Sequence, residues 1–144
     1  MQSNSDPGFV KIDNYFKNYE KQNQWFLYLK TLNRIQFINL IRNAKVLVGN
    51  SSMGFLEAPF YSLPVVNIGN RQKGRNNPGN VIFAKYNQKE IIKAIEKCCF
   101  NKEFLSKIKN IKNIYGNISS AKKIVKAIKS VDLNNNKWLI KKLT

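Results

Sequence analysis

The stretch Lys45-Val-Leu-Val-Gly-Asn-Ser-Ser-Met-Gly-Phe-Leu-Glu57, followed by Leu63-Pro-Val-Val-Asn-Ile-Gly-Asn-Arg-Gln-Lys-Gly-Arg75, decides how the chain is read. Val46, Leu47 and Val48 make a short apolar, β-branched run. Gly49, Asn50, Ser51 and Ser52 end it in a tight turn before a helical pattern resumes. This reads as strand, loop, helix. Such a loop is a ready anion site, because first-turn amides lack intrahelical partners and the helix dipole adds to them. Ser51 and Ser52 add two hydroxyls. Glu57 falls one to two turns into the helix, too far along to cap it, where a carboxylate can accept hydrogen bonds from a ribose diol. The second half repeats the logic, with Pro64 to Ile68 as a buried strand and a glycine loop carrying Arg71 and Arg75, two guanidiniums suited to bidentate phosphate contacts. Taken singly, Asn-Ser-Ser also fits a simple N-cap, and the glycine-arginine loop a solvated turn.

Taken together, Gly49-Asn-Ser-Ser-x-Gly-x-x-Glu57-Ala58-Pro59, then Pro64-Val-Val-Asn-Ile-Gly69-x-Arg-Gln-x-Gly-Arg75, then Asn80-Val-Ile82 closely resemble the C-terminal lobe of the hydrolysing UDP-N-acetylglucosamine 2-epimerases. The segment Asn67 to Arg75 favours the hydrolysing branch over the non-hydrolysing one. The resemblance implies an α/β fold, a Rossmann-like parallel sheet with flanking helices, as the C-terminal lobe of the two-lobed B-type glycosyltransferase architecture. It further implies that the complete enzyme binds UDP-N-acetylglucosamine between two lobes, eliminates UDP and adds water to a glycal intermediate. The product is an N-acetylmannosamine-type sugar for sialic and related nonulosonic acids.

Carried over position by position, the resemblance implies a UDP site of Asn50, Ser51, Ser52, Gly54, Glu57, Arg71, Gln72, Gly74 and Arg75. In it Ser51 and Ser52 with their amides hold the diphosphate, Glu57 holds the ribose hydroxyls and Arg71 sits near the phosphates. Gln72, Gly74 and Arg75 shape the loop. Two departures stand inside the motif: Met53 where a third serine is common, and Tyr61-Ser62 where an aromatic-glycine pair is common. The family's acids and bases belong to the N-terminal lobe or to a histidine near the start of the C-terminal lobe. This sequence has no histidine and only eight acidic residues, so no pair suited to general acid-base work is found and no catalytic residue is assigned. The chain alone is expected to bind a nucleotide without turnover.

Ahead of the central stretch, Asn4-Ser-Asp-Pro-Gly8 predicts a turn in which Asp6 caps a helix with Pro7 at its first position. Phe9, Ile12, Phe16 and Tyr19 then recur at helical spacing. An Asn-x-Asp-x-Gly segment follows the second strand of the family's lobe, so Met1 would fall at the end of that strand. The chain would then be N-terminally truncated, lacking the first strand and leaving a sheet edge open. Trp25 to Leu29 reads as a strand. Thr31 or Asn33 caps the next helix, with Ile35, Ile38, Leu40 and Ile41 on its inner face.

Beyond the central stretch, Asn76-Asn-Pro-Gly79 is a turn and Val81 to Phe83 a strand. Asn87-x-x-Glu90 has the form of a capping box for a helix that turns Ile91, Ile92, Ile95 and Cys98 or Cys99 inward. A further helix spans about residues 102–109. Tyr115-Gly-Asn117 breaks the pattern, and Ser119 or Ser120 starts a last helix with Ile124, Val125, Ile128 and Val131 on one face. Strands alternating with helices predict a parallel sheet. Residues 1–131 are expected to form the UDP-binding lobe and 132–144 a basic tail.

A length of 144 residues with 43% hydrophobic content suits one domain with a real core. There is no run of eighteen apolar residues and no charged-then-apolar signal segment at the start, so a cytoplasmic protein without a membrane partner is expected. Cys98 and Cys99 are adjacent and read as free thiols; with no histidine to share a metal, neither a metal nor a cofactor is expected. The net charge of +17 would attract nucleic acid. Yet the lysines lie opposite apolar stripes on solvated helix faces, without interleaved aromatics, so a UDP-sugar and a missing lobe or oligomeric partner are the expected partners. Three other readings are a free-standing UDP-sugar-binding module, a basic nucleic-acid-binding protein, and a glycosyltransferase lobe of the same architecture.

Overall fold

A computed structural model describes residues 7–111 and 119–131. The described chain divides into two compact units at Ala44/Lys45. The first holds α1 (Phe9–Gln22) and α2 (Arg34–Asn43). In the second, β1 (Leu47–Gly49), α3 (Met53–Leu56), a 3-10 turn (Ala58–Tyr61), β2 (Val65–Ile68), β3 (Val81–Ala84), α4 (Gln88–Phe100), α5 (Lys102–Lys109) and α6 (Ser120–Lys129) follow in order.

The sheet is parallel throughout, in the order β1-β2-β3. Val48, Val66 and Ile82 share one register row and Gly49, Asn67 and Phe83 the next, so the two faces alternate along each strand. The central strand β2 is buried along Val65, Val66 and Asn67, as a parallel strand covered on both faces must be, and its sequence is correspondingly a nearly unbroken apolar run. On one face Val66 and Ala84 pack against Ala94 and Cys98 of α4, with Ile68, Ile82, Ile91, Ile95 and Phe104 around them. On the other, Phe55 is fully buried and its ring lies 5.9 Å from that of Phe83. Burying such a ring contributes about 1.5–3 kcal/mol. This is the Rossmann-like α/β arrangement that the alternation of strands and helices predicts.

The short elements follow local chemistry. Asn33 caps α2 with a complete capping box: its side chain accepts from the Gln36 amide at 2.9 Å while Gln36 accepts from the Asn33 amide at 3.3 Å. Asn87 caps α4 by accepting from the Glu90 amide, but the Glu90 carboxylate accepts from the Lys85 amide instead of closing the expected box. The 102–109 helix is present with Asn101 as its cap. Ser120 begins α6, none of whose residues is buried.

Several expectations are corrected. The first helix begins at Phe9 with Gly8 as its N-cap, so Pro7 precedes the helix; Asp6 lies outside the described residues. Trp25 to Leu29 does not form a strand. A strand exists through its ladder, and among the described residues none pairs with this run; the Tyr28 amide donates instead to the Glu20 carboxylate at 2.6 Å. Its aromatics serve a cluster on α1, with Phe26 against Tyr19 at 5.1 Å and Phe16 at 5.7 Å. Burial, and then the nearby Asp13 carboxylate, push the Tyr28 phenol up to about 12. On α2 only Ile41 is buried and Ile38 half-buried, while Ile35 and Leu40 are exposed. At 3.6 residues per turn, Ile35 and Leu40 point roughly 100° or more away from Ile41, on opposite sides. The Tyr115-Gly-Asn117 break and the 132–144 tail lie outside the described residues.

Candidate functional site

Parallel strands put every strand's carboxyl end at the same edge, which is where ligands bind in open α/β sheets. Because β1 and β2 are neighbours, the loops after them, Gly49 to Ser52 and Gly69 to Arg75, emerge side by side. The second loop belongs to a crossover without a helix. Residues 69–80 leave the carboxyl end of β2 and return to the start of β3, and the site residues occupy the outward half. Two successive turns shape that half: the Lys73 amide donates to the Asn70 carbonyl at 2.9 Å and the Arg75 amide to that of Gln72 at 3.3 Å. Gly74, at φ +87°, provides the left-handed step between them, a conformation that costs a side-chain-bearing residue about 1–2 kcal/mol.

Gln72 locks the two loops together. Although it sits in an exposed loop it is only 5% accessible. Its Nε2 donates to the Asn50 carbonyl at 2.9 Å and its Oε1 accepts from Arg75 Nε at 2.5 Å. Both ends of the amide are thereby committed to the protein, as a buried amide requires. The Gln72 side chain thus bridges 22 residues of sequence.

The first loop differs from the helix-terminus picture. The helix after it is a single turn, and Glu57 is its C-cap, leading into the 3-10 turn, rather than a residue inside a longer helix. Ala58-Pro59 tightens the chain there, with Pro59 early in the 3-10 turn. So short a helix sums few peptide dipoles, so the macrodipole of a long helix is missing here. The Met53 amide is taken by Ser51 Oγ at 3.3 Å, and those of Gly54 and Phe55 by the Ser51 and Ser52 carbonyls. Among the described residues the amides of Asn50, Ser51 and Ser52 donate to no protein group.

Glu57, Arg71 and Arg75 are exposed, whereas Gly54 is buried. A Cβ on Gly54 would lie 2.8 Å from Val65 Cγ1, so this glycine lets α3 sit directly on β2. Two asparagines that the sequence reading left without a role support the loops. Asn80, fully buried, donates through Nδ2 to the carbonyls of Gly54 at 3.1 Å and Leu63 at 3.0 Å, tying α3 to the entry of β2. Asn67 donates to the Gly69 carbonyl at 3.1 Å, fixing the bend where the second loop leaves the sheet. The Oδ1 atoms of both are buried with no protein partner. The signal was present in the sequence: an amide inside one apolar run, in Val-Val-Asn67-Ile, and at the head of the next, in Asn80-Val-Ile.

The family model for UDP-N-acetylglucosamine 2-epimerase matches residues 2–129, nearly the whole chain. The chain belongs to the UDP-N-acetylglucosamine 2-epimerase family. It is 36% identical over 97 residues to the GDP/UDP-N,N'-diacetylbacillosamine 2-epimerase (hydrolyzing) of Campylobacter jejuni, covering 67% of this chain and 25% of that protein. It is 34% identical over 96 residues to the UDP-N-acetylglucosamine 2-epimerase of Neisseria meningitidis, again 67% of this chain and 25% of the relative. To the UDP-N,N'-diacetylbacillosamine 2-epimerase (hydrolyzing) of Legionella pneumophila it is 30% identical over 136 residues, 94% of this chain and 34% of that one. This epimerase-family chain therefore spans a quarter to a third of the length of the curated relatives it matches. Among the described residues of this family member, no helix is long and apolar enough to cross a membrane.

Proposed function

We propose that this chain is the UDP-gripping portion of a hydrolysing UDP-N-acetylglucosamine 2-epimerase, with residues 1–131 as its nucleotide-binding lobe and 132–144 as a basic tail. The observation that carries the reading is the joining of two loops at the carboxyl edge of the sheet through Gln72. It ties the loop of Asn50 to Ser52, through the Asn50 carbonyl, to Arg75 Nε in the loop after β2. In this reading the amides of Asn50, Ser51 and Ser52 and the Ser52 hydroxyl bind the diphosphate, Arg71 and Arg75 supply positive charge, and Glu57 accepts from the ribose hydroxyls. Gly54, Gln72 and Gly74 shape the pocket.

The chemistry such a site performs is leaving-group stabilisation. As the bond from the sugar's anomeric carbon to the bridging oxygen breaks, negative charge grows on the β-phosphate, and preorganised N–H donors and guanidiniums aimed there lower the barrier. Proton removal and water addition need an acid and a base. The sequence has no histidine, and we assign those steps to a lobe or subunit outside these 144 residues. The substrate is a UDP-sugar with a 2-acetamido group, released as an N-acetylmannosamine-type sugar for nonulosonic acid synthesis. The names of the relatives, including a polysialic acid biosynthesis protein of Escherichia coli, support that class.

Calorimetric titration with UDP and with 2'-deoxyuridine diphosphate tests the assignment. Glu57→Ala is expected to weaken UDP binding by about 1–3 kcal/mol, as loss of a charged hydrogen-bond acceptor does. It should narrow the gap between the two nucleotides. Equal UDP affinity in wild type and variant refutes the ribose assignment.

A further inference from the structure

We infer that α6 is a membrane-surface helix: its apolar stripe of Ile124, Val125 and Ile128 enters the headgroup boundary of an anionic lipid surface, while Lys122, Lys123, Lys126 and Lys129 meet the headgroup charges. This is independent of the UDP site proposed above, and its failure would leave that reading standing.

Every other described helix buries at least one residue, and α6 buries none. Ile124, Val125 and Ile128 are 57%, 51% and 59% exposed. Their spacing is nevertheless that of a face made for burial. At about 100° per residue, Ala121, Ile124, Val125, Ala127 and Ile128 fall within an arc of roughly 160°, and the four lysines within roughly 120° on the opposite side. An isolated helix of 10 residues is marginal in water, so the stripe stabilises α6 only when something apolar covers it. Charge selects the cover. The helices α4 and α5 carry lysines too, but mix them with Glu90, Glu96 and Glu103 and bury Ala94, Cys98 and Ile108. In α6 the lysines stand without any acid. Nucleic acid would answer the lysines and leave the isoleucines in water, whereas an uncharged apolar protein surface would cover the isoleucines and leave the lysines without counter-charge. An anionic lipid surface answers both, because lysine stems reach up to the headgroups from a helix whose apolar side is immersed. The sequence that follows, Lys137-Trp-Leu-Ile-Lys-Lys-Leu143, repeats the composition and adds a tryptophan, a residue enriched at lipid–water boundaries. A helix lying in the surface needs no spanning segment, so the lack of one among the described residues does not bear on it.

The test uses the whole 144-residue chain, sedimented at about physiological salt with vesicles of phosphatidylcholine alone or of phosphatidylcholine mixed with phosphatidylglycerol. Thermal melting is recorded on every variant. The wild-type chain is expected to bind the mixed vesicles about tenfold or more tightly than the neutral ones, since each lysine beside an anionic surface adds about fivefold. Ile124→Gln with Ile128→Gln should cost about tenfold or more of that affinity. The melting temperature should not move, because neither side chain is buried in the protein. Lys122→Gln with Lys126→Gln should cost about tenfold or more and flatten the salt dependence. Lys93→Gln with Lys97→Gln on α4, the same change in net charge, should cost little. Equal binding to the two vesicles, full affinity in the isoleucine variant, or equal losses from the α4 and α6 lysine pairs overturns the inference. So does a melting temperature lowered by the isoleucine substitutions, which would mean that the chain or a second copy of it already covers the stripe. A chain that sediments with neither vesicle but retards a DNA oligonucleotide would assign the lysines to nucleic acid, and the inference would fall likewise.

Discussion

Gly54→Ala places a methyl group where the fold has no room. The new Cβ would stand 2.8 Å from Val65 Cγ1 and 3.6 Å from Cγ2, against the 3.5–4.0 Å at which carbon atoms rest. Val65 yields little, since β-branching restricts its χ1 and its backbone is held between β1 and β3. The α3 turn must therefore lift by roughly 1 Å, at an overpacking cost of about 1–3 kcal/mol. Alanine recovers up to about 1 kcal/mol of helix propensity, leaving a net loss of about 1–2 kcal/mol. Urea denaturation of the full chain reads this as a lower midpoint with unchanged slope. Val65→Ala alone removes two buried methyls and costs about 2 kcal/mol, but it also clears the clash. The double variant should therefore be more stable than the sum of the singles by about 1 kcal/mol. Wild-type stability in Gly54→Ala, or strict additivity with Val65→Ala, would refute close approach as the reason for this glycine.

Three other outcomes are expected. Ser62 sits in the left-handed region at φ 50°; Ser62→Gly should raise stability by up to about 1 kcal/mol in a denaturant titration. Asn80→Ala strips two buried carbonyls of their donor and should cost at least about 2 kcal/mol, with loss of UDP affinity because α3 carries the phosphate loop. Burial, and then Cys99, push the Cys98 thiol up to about 11, so the folded state holds its proton where the unfolded chain has released it. Its contribution is complete below pH 9 and is lost as pH rises towards 11, and Cys98→Ala should flatten that part of a stability-against-pH curve.

What the sequence disclosed, and what it hid, divides along physical lines. Val-Val-Asn-Ile between Pro64 and Gly69 was legible because a strand buried on both faces must be apolar along its length and must stop at a turn residue. The caps at Asn33 and Asn87 were legible because they act over three residues. Trp25 to Leu29 misled because β propensity describes a side chain and not the availability of a ladder partner. The single-turn length of α3 was hidden because Phe55, Leu56 and Ala58 continue an apolar pattern through Pro59, and only the chain's path over β2 shows where the helix gives way. That the loops carrying Asn50, Ser51, Ser52, Arg71 and Arg75 leave neighbouring strands at one edge of the sheet followed from motif order. The bond from Gln72 to the Asn50 carbonyl did not, because nothing local in the sequence records a contact made 22 residues away.

The central claim, that the two loops after β1 and β2 form one nucleotide-diphosphate site, is tested most directly by titrating UDP into the isotopically labelled chain at about physiological salt and following its amide resonances. The account predicts a dispersed spectrum in which the largest shifts fall on Asn50, Ser51, Ser52 and Glu57 and on Gly69 to Arg75 together, with one affinity. A dispersed spectrum that ignores UDP, or responds at only one of the two loops, would contradict it.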